Sequence, residues 1–364
     1  MQNFQAITAE SYAAVDDFSS DNPDPAPQDL HLTCKNGPTP SRQVTVSSSS
    51  QIVTASNVAS QCGNDSICIV PEGLTLRMTN NLNVGALIVR GSLEWNEQTQ
   101  TDNLNQYLCG GYIVIEENGS FEMNLQEKHG WIYIKNNGAI HEHLRSRAFG
   151  ADAGETGGQP CIDITGRVLA RTWSLLSKPL LPGSVEMQLL HHPGLMGWKV
   201  GDRVGVAPTE RLSTGWGEVF RIFKINDDGT ILLNTASTHH FKANLEAPVG
   251  GRDQAALKSA EVVNLSRNIV ITGDDFEHVA CDPNLPEAVT GEETSVKGCR
   301  CSSFRSTCTV GLHTVHAHGG VSRIQNVRVE KCGQRGKMSS FARVCSAASL
   351  LTYFSNNWKQ NGRR

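Results

Sequence analysis

Carboxylates and imidazoles are the groups through which this sequence of 364 residues could do chemistry. Asp274 and Asp275 follow the apolar run Ile269-Val-Ile271, and Asp202 follows a glycine in Trp198-Lys-Val-Gly-Asp202. Enzymes cut a glycosidic bond with two carboxyl groups, one giving a proton and the other acting as base or nucleophile. These three acids are therefore catalytic candidates, although each also reads as a turn acid that bonds its own backbone. His313 joins them as the first imidazole of His313-x-x-His316-x-His318. Side chains alternate along a strand, so His316 and His318 share one face and His313 takes the other. The trio does not converge on one ion, and neither a resident metal nor an organic cofactor is expected. Calcium alone is left open, by the acidic turns Asp227-Asp228 and Asp274-Asp275, because it takes oxygen ligands. Trp216, set between two glycines, is the candidate for stacking on a sugar ring. Trp95, Trp131, Trp173 and Trp198 read as core or strand-end residues.

Eleven cysteines and three Asn-x-Ser sequons, at Asn64, Asn118 and Asn264, point to an oxidising, secretory setting. Cys62 and Cys68 bracket a short loop and form a candidate disulfide. Cys281, Cys299, Cys301 and Cys308 form a second group in which three pairings are open. The N-terminus has no charged segment followed by an apolar one, so the natural start is expected to lie elsewhere. The chain is then expected to be extracellular or a cell-surface ectodomain. With 32 Lys+Arg against 36 Asp+Glu, it lacks the clustered basic excess of a nucleic-acid binder. No apolar run approaches the length of a membrane-spanning helix, so no transmembrane segment is expected.

The elements that must position these groups are strands. Four segments share one pattern: Ile69-Val-Pro-Glu-Gly73-Leu-Thr-Leu76, Leu87-Ile-Val-Arg-Gly91-Ser-Leu-Glu-Trp95, Ile113 to Met123 around Gly119, and Ile132 to Ile140 around Gly138. In each, alternating apolar residues run into a glycine corner and alternate again, which is the period of a half-buried strand. The corners recur about every 22 residues, and a unit that cannot bury its own apolar face buries it by stacking on the next. The expected fold is all-β: a right-handed parallel β-helix, or solenoid, with an antiparallel β insertion. An antiparallel sandwich of Asn-Gly hairpins is the alternative. The insertion is read between residues 173 and 247, where Asn226-Asp-Asp-Gly229 marks a hairpin turn. Residues 1–50, rich in Asp, Pro and Ser, read as a disordered or loosely ordered tail.

These residues resemble a known family. The stretch 51–172 is similar to the G-eight domain, through Ile69 to Leu76, Leu87 to Leu93, Gly111 to Phe121 and Trp131-Ile-Tyr-Ile-Lys-Asn-Asn-Gly138. Residues 173–336 resemble the β-helix continuation of longer members, through Trp198-Lys-Val-Gly-Asp202, Ala260 to Ile271, Gly311-Leu-His313 and Ile324 to Gln334. Those members include hyaluronidases and fibrocystin-like receptors. The resemblance implies an extracellular glycan-interacting protein whose partner is a polysaccharide or cell-surface glycan, either a hyaluronan-like depolymerase or a non-catalytic binding or adhesion module. After Gly336 the sequence departs from the family. Its Tyr- and His-rich stretch is replaced by Lys337 to Cys345, and residues 337–364 read as an atypical tail, as after a shifted reading frame. An inactive fragment is the further reading.

Overall fold

The computed structural model of the protein describes residues 30–34, 37–100, 105–155, 157–209, 217–244, 258–275, 277–280, 307–332 and 334–335. The chain divides into two compact units: residues 168–266 form one, and the described residues of 27–167 and 267–364 form the other.

Parallel sheets build the larger unit. The first has six strands paired in chain order: β1 (Arg42–Thr45), β2 (Ser66–Val70), β3 (Ala86–Val89), β4 (Ile113–Glu116), β5 (Ala148–Asp152) and β6 (His313–Ala317). A second six-stranded sheet runs Ile52–Thr54, Thr75–Arg77, Ser92–Asn96, Ser120–Asn124, Cys161–Thr165 and Val321–Gln325. The third pairs Leu82–Asn83, Asn105–Gly110, His129–Ile134, Ile269–Gly273 and Val327–Val329. Stacked strands align like residues: Leu93, Phe121 and Ile162 lie on one rung of the second sheet. Such positions from all three sheets meet in one core, among them Val89, Ile115, Phe149, Leu93, Phe121, Ile132 and Ile271. Removing this surface from water is the main force holding the unit together. Phe121 and Phe149 add an edge-to-face contact with centroids 6.0 Å apart.

The glycine corners act by two means. Gly138 has a φ of 77°, the left-handed region that L side chains avoid. Gly91 is needed for space: a Cβ there would lie 2.1 Å from the Leu74 carbonyl oxygen.

The four middle strands of the first sheet, β2 to β5, are buried on both faces. Ile69, Ile88, Val114 and Ala148 turn away from the main core and are covered by Ala139 and Leu144, from the loop that follows the third sheet's central strand. Double burial is why β2, β3 and β4 read as unbroken apolar runs. That covering loop carries His141 and His143.

The smaller unit is antiparallel. Its curled sheet, a half-barrel, has the order Trp173–Leu175, Glu261–Asn264, Arg203–Val206, Glu218–Ile225, Ile231–Leu233 and Glu186–Met187. Its own core includes Leu176, Trp198, Val204, Phe220, Ile222 and Val262. The turn at Asn226 to Gly229 joins two of these strands, with Gly229 at φ 82°.

The expectation of a single right-handed parallel β-helix is corrected by this topology. The chain is all-β, but it forms several parallel sheets plus a curled antiparallel half-barrel. The half-barrel separates Arg167 from Arg267 and closes its own core. An antiparallel sheet of Glu277–Ala280, Thr307–Val310 and Gln334–Arg335 adds to the departure. Glycine corners specify where a strand ends. They do not fix which sheet the next strand joins.

Among the described residues, two cysteine pairs stand at disulfide distance: Cys62–Cys68, with Cα atoms 5.9 Å apart, and Cys34–Cys109, with 5.8 Å. The second pair ties the short helix Leu30–Cys34, within the segment read as a tail, to a strand of the third sheet. Cys161 is a free thiol. Cys281, Cys299 and Cys301 lie outside the described residues, and Cys308 falls in the strand Thr307–Val310.

Candidate functional site

The C-terminal ends of β4, β5 and β6 gather carboxylates and imidazoles. Glu116 ends β4 and Asp152 ends β5, and the two occupy one rung, with Ala317 of β6 next in line. In-register residues of neighbouring strands project to the same face. The loop 136–147 brings His141 and His143 over this rung, and the turn after β6 brings His318. The loop is fixed from beneath by Leu144 and from its sides by polar contacts. Arg147, buried, donates to the carbonyls of Asp274 and Asp275. Asn137 Nδ2 donates to the Gly85 carbonyl at 2.9 Å.

Each carboxylate has its own imidazole partners. His141 Nδ1 accepts the backbone N–H groups of Leu144 (3.1 Å) and His143 (3.3 Å). Its proton therefore sits on Nε2, which donates to Glu116 Oε1 at 2.9 Å. Arg90 Nε holds the other oxygen of Glu116 at 2.9 Å. Asp152, 1% exposed, faces two imidazoles: His143 Nδ1 lies 2.6 Å from Oδ2 and His318 Nδ1 2.7 Å from Oδ1. The Gly154 N–H also donates to Oδ1, at 3.0 Å. Burial pushes both carboxyl groups up in pKa, but these hydrogen bonds outweigh it and hold each below its usual range. The bond to Asp152 raises His143 above the ordinary imidazole value. The rings pack edge to face, His143 on His318 at 5.1 Å and on His141 at 6.1 Å. His143 and His318 are open to solvent, with side chains 32% and 50% exposed.

The acids expected from sequence serve the framework. Asp274 is buried, accepting from the Tyr133 hydroxyl at 2.7 Å and the Asn136 N–H at 2.5 Å. Asp275 beside it is exposed and pairs with Lys331 at 2.8 Å. Asp202, in the half-barrel unit, accepts from the Lys199 N–H and from Asn264 Nδ2 at 2.9 and 2.8 Å. Asp228 caps its own turn through the Thr230 N–H at 2.9 Å. His313 lies 3.0 Å from the Leu144 carbonyl through Nε2, which pins the loop carrying the other imidazoles. His316 pairs with the Ser322 hydroxyl at 3.2 Å, and burial pulls its pKa down. His318 does not share the face of His316, because β6 ends at Ala317 and His318 takes a φ of 50°.

Trp216 lies outside the described residues. Trp95, Trp131 and Trp198 are core side chains, and exposed Trp173 is covered by the Arg171 guanidinium 5.4 Å from its ring centroid. Of the sequon asparagines, Asn264 is wholly buried and Asn64 accepts from Lys135, while Asn118 is exposed. Glu116, His141, His143 and Asp152 were absent from the sequence candidates. His141-x-His143 was the available signal, since alternate residues of an extended segment share a face. Asp152 had none, lying outside every motif. No protein-family profile and no curated protein matches the chain. Among the described residues, no helix is long and apolar enough to cross a membrane.

Proposed function

We propose that this is an extracellular glycan-interacting protein that binds and cleaves polysaccharide at the rim formed by Glu116, His141, His143, Asp152 and His318. The observation that carries this reading is the pairing of Glu116 and Asp152 on one rung, each with separate imidazole partners. Neighbouring strands lie about 4.8 Å apart, of the order of the roughly 5 Å separation of carboxyl groups in retaining glycosidases. Glu116, held ionised by Arg90 and His141, supplies the anion, and the exposed imidazoles of His143 and His318 supply donors that reach a sugar oxygen. The two cysteine pairs at disulfide distance suit an oxidising environment. A second reading, binding without cleavage, is favoured by the full engagement of both carboxylates with protein partners.

Size-exclusion of hyaluronan and comparison polysaccharides after incubation with the chain tests the proposal. Shortened polymer, abolished by Glu116→Gln and by Asp152→Asn, is the expected result. Co-elution at unchanged length moves the protein to the binding reading. Neither effect refutes both.

A further inference from the structure

His143 lies 9 residues from Asp152 and His318 lies 166 residues from it, yet one ligand atom from each lies within 4.8 Å of the other two. Both imidazoles turn the same nitrogen, Nδ1, toward one buried carboxylate, and they approach opposite oxygens of it. Metal bonds of about 2.0–2.2 Å to imidazole nitrogen and carboxylate oxygen require donor atoms about as close as these. A small movement of two exposed imidazoles would admit an ion between them and Asp152. The surroundings fix the ligands: the Gly154 N–H orients the carboxylate, and the His141 ring, itself held by Glu116, backs His143. Such outer contacts are what hold ligands in a metal site.

We propose that His143, Asp152 and His318 form a binding site for one divalent transition-metal ion. Two nitrogens and one carboxylate suit zinc, manganese, iron or nickel, whereas calcium and magnesium select all-oxygen sets. The three ligands leave positions on the solvent side open, where water or a sugar oxygen can bind. The ion displaces the Nδ1 protons that the two imidazoles otherwise donate to Asp152, so loading alters any polysaccharide cleavage at this rim. The binding site itself does not depend on the glycan reading.

Isothermal titration calorimetry of the full chain with zinc chloride, after chelator treatment, tests the inference, and cobalt(II) absorption reports the geometry. One equivalent is expected, with visible cobalt bands. His318→Ala and Asp152→Asn should each weaken binding by about a hundredfold or more, as losing a direct ligand exceeds the 10–100-fold effect of an outer contact. His240→Ala, an exposed imidazole of the other unit, should leave it unchanged. Circular dichroism confirms that the variants fold, and half-exposed His318 is the safer substitution. Absence of binding by the unaltered chain, or equal affinity in His318→Ala, overturns the proposal. Polymer sizing is scored separately, so zinc binding without cleavage rejects only the catalytic reading.

Discussion

The two cysteine pairs should differ sharply in what they contribute. Cys34–Cys109 closes a separation of 75 residues and Cys62–Cys68 one of 6. A cross-link stabilises chiefly by removing conformations from the unfolded chain, more so for longer loops. The loop-entropy relation gives about 4.5 kcal/mol for the first pair and about 2.2 kcal/mol for the second at 25 °C. Packing losses nearly cancel in the comparison, because all four residues are at most 1% exposed. Cys34→Ala/Cys109→Ala should therefore cost about 2 kcal/mol more than Cys62→Ala/Cys68→Ala. The assay is urea unfolding under non-reducing conditions, followed by hydrogen exchange in peptides from β3, β4 and β5, which isolates the larger unit. Equal costs would refute the entropic argument and show that the Leu30–Cys34 segment holds its place without the bond. A larger loss in the short-loop variant would mean that the loop before β2, not the long tether, limits stability.

Other expectations follow from particular contacts. Gly150→Ala would place a Cβ 1.8 Å from the Val315 carbonyl oxygen, forcing β6 from β5; a loss of about 3 kcal/mol is expected by thermal denaturation, and wild-type stability would refute it. Glu218 is pushed up by burial but held lower overall by bonds from Thr238, Ser237 and His239, so its folded pKa lies below the reference 4.5. Its contribution is present above pH 4.5 and is lost as pH falls through the folded value; Glu218→Gln should flatten the acid limb of half-barrel melting between pH 5 and 3, roughly, and an unchanged limb would exclude Glu218 as its source. Secreted from glycosylating cells, the chain should carry glycan at exposed Asn118 and none at buried Asn264; peptide mass spectrometry decides, and a folded chain modified at Asn264 would contradict the buried amide. Burial pulls Lys135 down to about 8, so raising pH from 8 toward 10 should stabilise the wild type and leave Lys135→Met unaffected, as read by urea midpoints.

Local rules made the strands legible. Alternation in Ser120-Phe-Glu-Met marks residues with one side in a core, the apolar run Leu87-Ile-Val marks a strand covered on both faces, and Asn226-Asp-Asp-Gly229 marks a turn, because these depend on neighbours within a few positions. The all-β class and the antiparallel character of the middle followed from the same local physics. Cys62 and Cys68 could be paired on spacing, whereas Cys34 and Cys109 could not, since nothing local relates a helix residue to a strand 75 positions away. Sheet membership was a matter of tertiary structure: the half-barrel closes on its own core, and the parallel strands sort into separate sheets. The candidate site was decided there too. Asp274 and Asp202 looked like chemistry until their carboxylates proved to be consumed by Tyr133, Asn136, Lys199 and Asn264. Asp152 looked like nothing until parallel register set it beside Glu116 and a left-handed residue turned His318 toward it. Sequence determines what each residue can offer. Which groups meet depends on contacts between segments remote in sequence, and here β5 lies between β4 and β6 only because the whole stack has formed.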